Sequence, residues 1–258
     1  MPRFAANLSF LFNEVPFMER FDLAREHGFK AIEFMSPYYW PVRDIREQLD
    51  KHKLELVLFN TAQGHWAAGE RGIAALPGRE AEFDAAIAQA LTYAGVLANK
   101  LIHVMAGLEP DGANAKSFTT NLRRAADQAA SHGVTLVIEP INTRDMPGYF
   151  LVRTRQALDI IADIGRPNLG LQFDLYHRHM TEGDVEAGLA EVKGIARHMQ
   201  IASPPDRGEP GRGDLDFQRL LSLIDASGYN GHIGLEYKPR GATIPGLAWM
   251  QKLGVEPG

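Results

Sequence analysis

Four short apolar runs in this chain end in side chains that carry oxygen. Thr135-Leu136-Val137-Ile138 runs into Glu139 and is stopped by Pro140. The pattern recurs from Leu169 to Asp174, from His198 to Gln200 ahead of Ile201, and from His232 to Glu236. Such runs read as strands buried on both faces, so Glu139, Asp174, Gln200 and Glu236 each close a predicted parallel strand. They lie 35, 26 and 36 residues apart (139 to 174, 174 to 200, 200 to 236), room enough for a strand, a crossover helix and loops. If successive strands close a barrel, all four side chains converge on the mouth at the strand C-termini, where that fold does its chemistry. Three acids and an amide in one small volume repel one another unless a cation lies between them. An all-oxygen set suits a divalent ion. Taken singly, each acid is equally well explained as the cap of the next helix; their common position and spacing favour a shared site.

Other residues gather around this pattern. His177 follows Asp174 by three positions, placed either to handle a proton or to hold a loop. Arg207 lies in the long loop Ser203–Gly213, and its planar fork matches a carboxylate bidentately, although a solvated loop arginine is the plainer reading. The connection Thr61–Gly78 is also long, as lids often are. It carries His65, Trp66, Glu70 and Arg71, which either close over the site or only hold the loop. Glu33 and His103 fall inside predicted strands and are expected to pack or to support the site through hydrogen bonds.

The elements that must position these residues alternate strand and helix throughout. Strands are expected at Arg3–Ser9, Ala31–Phe34, Leu54–Asn60, Lys100–Ala106, and at the four runs above. Between them lie helical periods such as Phe83, Ala86, Ile87, Ala90, Leu91 and Ala94. Thr154 is expected to cap a helix through Leu158 and Ile161 to Gly165, and Val185, Leu189 and Val192 to mark the helix after Asp174. Tyr38, Tyr39 and Trp40 are expected to pack over the rim. The chain reads as α/β, a (β/α)8 TIM barrel forming one domain over residues 1–258. A doubly wound open sheet is disfavoured because no glycine-rich phosphate fingerprint follows an early strand.

Composition narrows the function classes. The 258 residues include no cysteine, which removes disulfides and thiolate metal sites. Net charge is −5 without a clustered basic stripe, arguing against a nucleic-acid surface. No stretch approaches a membrane span or a cleavable leader, so a cytoplasmic protein is expected. A homo-oligomer is compatible with the sequence.

Together, Glu139-Pro140-Ile141-Asn142, Asp174-Leu175-Tyr176-His177, Arg207-Gly208-Glu209-Pro210-Gly211, Glu236-Tyr237-Lys238-Pro239 and Trp66-Ala67-Ala68-Gly69-Glu70-Arg71-Gly72 resemble the hydroxypyruvate isomerase family, one of the xylose-isomerase-like barrels. The resemblance implies a small carboxylate substrate, hydroxypyruvate interconverting with tartronate semialdehyde. It implies Glu139 and Glu236 as proton donor and acceptor, and Glu139, Asp174, Gln200 and Glu236 as the metal ligands. Related ketose 3-epimerases usually carry histidine where Gln200 stands; an amide oxygen leans the site toward Mg²⁺ or Mn²⁺. His177 is expected to move the hydroxyl proton and Arg207 to hold the carboxylate, with His65, Trp66 and Arg71 also near substrate. Two alternatives keep the barrel. One is a 2-oxo-tetronate isomerase or ketose 3-epimerase; the other, a metal-dependent DNA-repair endonuclease, would call for more histidines.

Overall fold

A computed structural model describes residues 2–258. Eight strands, β1 (Arg3–Asn7), β2 (Ala31–Glu33), β3 (Glu55–Asn60), β4 (Leu101–His103), β5 (Thr135–Ile138), β6 (Leu169–Asp174), β7 (Ala196–Ile201) and β8 (His232–Leu235), pair in sequence order. All pairs are parallel, and β8 returns to β1 to close the barrel. The closed parallel barrel is the (β/α)8 arrangement that the strand ends foreshadow.

Helices α1 (Arg20–Glu26), α2 (Val42–His52), α3 (Glu80–Leu97), α4 (Ala115–Ala130) and α5 (Thr154–Ile164) follow the first five strands. Their apolar stripes, including Ile45 and Leu49 of α2 and Phe83, Ile87 and Leu91 of α3, are buried against the barrel. Each such side chain contributes about 1.5–3 kcal/mol relative to exposure. Beyond β6 come α6 (Leu175–Glu182) and α7 (Val185–Glu191), then α8 (Phe217–Ala226), α9 (Thr243–Gly246) and α10 (Ala248–Lys252). Among the described residues, no helix is long and apolar enough to cross a membrane.

Some expectations need correction. Where one helix was expected after Asp174, there are two, because Asp174 itself caps α6 by accepting the Tyr176 N–H at 2.8 Å. The same side chain is thus both a helix cap and a member of the site. Thr154 is the first residue of α5 and not its cap. Its N–H and hydroxyl both donate to Glu182 of α6, each at 2.8 Å, which ties the two helices together. Strands β1 and β4 stop short of Ser9 and Ala106. At the rim, Trp40 stacks on Phe17 at 3.9 Å and Tyr38 packs on Tyr93, while Tyr39 stays largely exposed.

The barrel register sets the depth of each inward side chain. Asp174 pairs with Gln200, and Gln200 with Gly234, so Glu236 stands two residues nearer the mouth than Gln200's partner. Gly234 leaves the space occupied by Glu33: a Cβ there would lie 2.2 Å from the Glu33 carboxylate. That carboxylate accepts from Asn7, His198 and Gln200 and cannot step aside cheaply. Gly234→Ala is therefore expected to cost about 1–3 kcal/mol by overpacking. Gly95→Ala, in the exposed last turns of α3 with open space around it, is expected to gain up to about 1 kcal/mol. Urea unfolding of both variants measures the contrast; similar midpoints would show that the barrel centre has slack.

Candidate active site

The strand ends meet as their spacing implies. Glu139 directly follows β5, Asp174 ends β6 and Glu236 directly follows β8, and all three are buried. With His177 they form a group whose ligand atoms all lie within 4.8 Å of one another. Glu139 Oε1 and Asp174 Oδ2 are buried without a hydrogen-bond partner. Lone acceptors on two ionisable acids, aimed into a shared space beside a third acid, fit a bound cation.

Gln200 lies beside this group with both ends of its amide engaged. Its Oε1 accepts from Gln172 Nε2 at 2.7 Å and its Nε2 donates to Glu33 at 2.8 Å. Glu33 also receives His198 Nε2 at 2.6 Å and Asn7 Nδ2 at 2.9 Å, and Asn7 Nδ2 reaches Glu236 at 3.3 Å. The residues inside the strands thus form a buried polar floor under the acids. His103 joins it with Nε2 3.7 Å from Glu139. Burial, reinforced by the charge of His198, pushes the His103 pKa down to about 3.

His177 stands at the edge of the acids, its Nε2 3.7 Å from Asp174 Oδ2 and 4.0 Å from Glu139 Oε1. Arg207 reaches in from the loop after β7. Its guanidinium bonds to Glu236 and lies 3.7 Å from Asp174 and 3.5 Å from Asp145. It is flanked by the rings of Phe10 and Tyr176 at 5.0 and 5.4 Å. Its left-handed backbone (φ 57°) and the bond from Lys238 N to Arg207 O at 2.7 Å hold the loop in this position.

A cavity of about 280 Å³ opens over these groups, with Trp66, Arg71, Asp145 and Lys238 among its outer walls. Arg71 lies 3.8 Å above the Trp66 ring and donates to the carbonyls of Trp66 and Glu70. Gly72 lets this loop cross the end of β4: at φ 106° a Cβ would meet Met105 O at 2.4 Å. His65 does not line the cavity; it is exposed, with its N–H bound to Glu70. Sequence reasoning missed Asn7, Gln172, Asp145 and Lys238. Asn7 ends β1 in an amide, as Gln200 nearly ends β7, and this was the available signal. A larger concavity of about 360 Å³ around Lys193, Arg197 and Tyr229, beside the starts of β7 and β8, gathers no acids.

Burial dominates the electrostatics. It raises Glu139 well above the usual carboxylate range, with Glu236 and Asp174 adding repulsion. It pushes Asp174 up to about 6 and Glu236 up to about 8, although Arg207 opposes both shifts. Burial and then Arg207 keep His177 well below its usual value. An acid whose pKa rises on folding stabilises the fold below its unfolded value and loses that contribution as pH climbs through the folded value. For Glu236 this window runs from near 4.5 to about 8. Chelator-treated protein should therefore lose stability from pH 5 to 8. A cation that favours the ionised acids should restore more of it at the higher pH. Tm measured with EDTA and with Mn²⁺ checks this; a metal effect independent of pH would place the ion elsewhere.

Comparison with known proteins agrees with this geometry. A family model described as the xylose isomerase-like TIM barrel matches residues 21–253. A 2-oxo-tetronate isomerase from Cupriavidus necator is 50% identical, covering 97% of this chain and 98% of that protein. A hydroxypyruvate isomerase from Escherichia coli is 44% identical over the same shares of both chains. A solved structure from Brucella melitensis, described as an AP endonuclease, family 2, superposes with a TM-score of 0.95 at 47% identity, covering 98% of this chain and 99% of that one. With identities this high over nearly full length, the chain belongs to the hydroxypyruvate isomerase/2-oxo-tetronate isomerase family within the xylose isomerase-like TIM barrels.

Proposed function

We propose that the protein is an isomerase that interconverts a 2-oxo-3-hydroxy acid and its 3-oxo-2-hydroxy isomer, with a four-carbon 2-oxo-tetronate as the preferred substrate. The observation that carries this reading is the pair Glu139 and Glu236, buried on one cavity with raised proton affinity. One glutamate takes the proton from the carbon bearing the hydroxyl; the other returns a proton to the neighbouring carbon. Glu139, Asp174 and Glu236, with the second lone pair of the Gln200 carbonyl, would hold a divalent ion, Mg²⁺ or Mn²⁺ by the oxygen-rich donor set. Such an ion supplies positive charge where the enediolate develops negative charge.

The surrounding residues supply binding and orientation. Arg207 faces the acids at the reacting end, but Glu236, Asp174 and Asp145 already surround it. A substrate carboxylate needs further positive charge, and Arg71 and Lys238 on the outer wall have no acidic partner among the described residues. Trp66 covers the same side. Hydroxypyruvate shares the reacting carbons and lacks only the terminal hydroxymethyl group, so it is the second reading, supported by the 44% relative. The 50% relative favours the longer acid. The endonuclease reading fits less well, since among the described residues His177 is the one histidine that joins the acid group.

A substrate series separates these readings. kcat/KM on 2-oxo-tetronate is expected to exceed that on hydroxypyruvate by about 10-fold or more, the scale of one added contact. A reversed ratio would favour the three-carbon acid, and cleavage of abasic-site DNA would revive the nuclease.

Proton transfer has its own signature. In D₂O the product should carry deuterium at the former carbonyl carbon, because a carboxylate exchanges with water and a migrating hydride does not. Glu139→Gln and Glu236→Gln should each lower kcat by roughly 10²-fold or more, with bound metal assayed alongside. Product free of deuterium after one turnover, together with variants that fail only by losing metal, would exclude the enediolate route.

A further inference from the structure

His177 belongs to the acid group, and an imidazole there has two possible uses: a lone pair for a cation or an N–H for an oxygen. Its other nitrogen decides between them. Nδ1 faces two donors, the backbone N–H of Asn142 at 3.4 Å and the side-chain Nδ2 of Asn142 at 2.6 Å. A backbone N–H can only donate. The Asn142 amide is fixed as well, because its Oδ1 accepts the Asp145 N–H at 2.8 Å, leaving its NH₂ toward the ring. With donors on that side, Nδ1 must hold a lone pair, and the single ring proton lies on Nε2.

We propose that Asn142 is a positioning residue that fixes His177 as the Nε2–H tautomer, making His177 a hydrogen-bond donor to the reacting substrate oxygen and not a metal ligand. Nε2 lies 3.7 and 4.0 Å from Asp174 Oδ2 and Glu139 Oε1, the two buried acceptors without partners. These separations are too long for direct hydrogen bonds. They leave an interval in which an oxygen bound among the acids would meet the N–H. Placing Nε2–H there also removes the one nitrogen from the group and leaves a donor set of oxygens. Asn142 lies three residues beyond Glu139, so one loop after β5 delivers both a proton-transferring acid and the group that orients its neighbour. The substrate-oxygen part of this inference rests on the isomerase reading; the tautomer does not.

The tautomer can be read directly by ¹H–¹⁵N correlation of the histidine ring nitrogens, in the full-length protein with and without saturating Mg²⁺. Wild type should show His177 protonated on Nε2 in both states. Asn142→Asp replaces the NH₂ by an acceptor of the same shape and keeps the bond to the Asp145 N–H, so it should move the ring proton to Nδ1. kcat should fall by about 10²-fold with KM changed far less, as when a group acts mainly on the transition state. Asn142→Ala, which loses the side-chain donor without supplying an acceptor, should keep the Nε2 proton and lose less activity; loss of the Nε2 proton there contradicts the assignment. A wild-type ring protonated on Nδ1, a ring that gives up its Nε2 proton when Mg²⁺ binds, or an Asn142→Asp variant still protonated on Nε2 would each overturn the proposal. If the tautomer is as stated while no sugar acid is isomerised, the functional reading fails and the orientation by Asn142 stands.

Discussion

Everything at this barrel mouth answers to one constraint: Glu139, Asp174 and Glu236 are buried within reach of one another and cannot all carry charge unaided. The protein answers in two ways. Protons stay on the acids more firmly than in water, as the raised pKa values of Asp174 and Glu236 show. Arg207 also inserts a permanent charge, at the expense of a left-handed backbone and a loop tied to Lys238. Neither response removes the unpaired acceptors on Glu139 and Asp174. The arrangement costs stability and at the same time gathers oxygen donors of a kind that fits a cation.

The polar floor beneath the acids follows from the same constraint. Glu33 is fully buried, yet it is surrounded by the N–H groups of Asn7, His198 and Gln200, and Gly234 gives up its side chain to make room. Through these contacts the ends of β1, β2, β7 and β8 are locked together inside the barrel, where a TIM barrel usually packs aliphatic layers. Gln172 extends the floor to β6. The acids are thus held from below by amides whose orientation is set by partners rather than by shape.

How much of this was legible from sequence depends on whether the signal was local. The strand ends were, because an apolar run stopped by Glu139-Pro140 or capped by Asp174 states its own boundary. The closed barrel followed from repeating units, and Trp40 packing from its aromatic neighbours. What escaped depended on contacts across the chain. The polar run from Tyr176 to His179 hides a helical period, so the sequence shows one helix between β6 and β7 where the structure has α6 and α7. Thr154 looked like a cap, but its hydroxyl partner Glu182 lies 28 residues away. Asp145 sat in a turn-rich stretch, and nothing local announces that it meets Tyr176 and Arg207. His65 carried the right residue type for a site, but Glu70 fixes its backbone out on the rim.

In the proposed isomerase, the division between strand ends and loops also separates reaction from choice of substrate. Glu139, Asp174 and Glu236 are set by barrel register, which one residue cannot slip without turning every inward side chain to the helices. Glu139 and Glu236 directly follow β5 and β8, three strands apart around the circle, and so approach the space among the acids from different directions. Adjacent carbons of a small sugar acid placed there can each face one of them. The outer wall has no such restraint: Trp66 and Arg71 come from one long loop, Asp145 from another, and Lys238 from the segment after β8. Under the isomerase reading proposed above, changes in those segments would alter how long an acid the cavity accepts without disturbing Glu139 and Glu236. Relatives 50% and 44% identical that carry the names of a four-carbon and a three-carbon isomerase are what that separation leads one to expect.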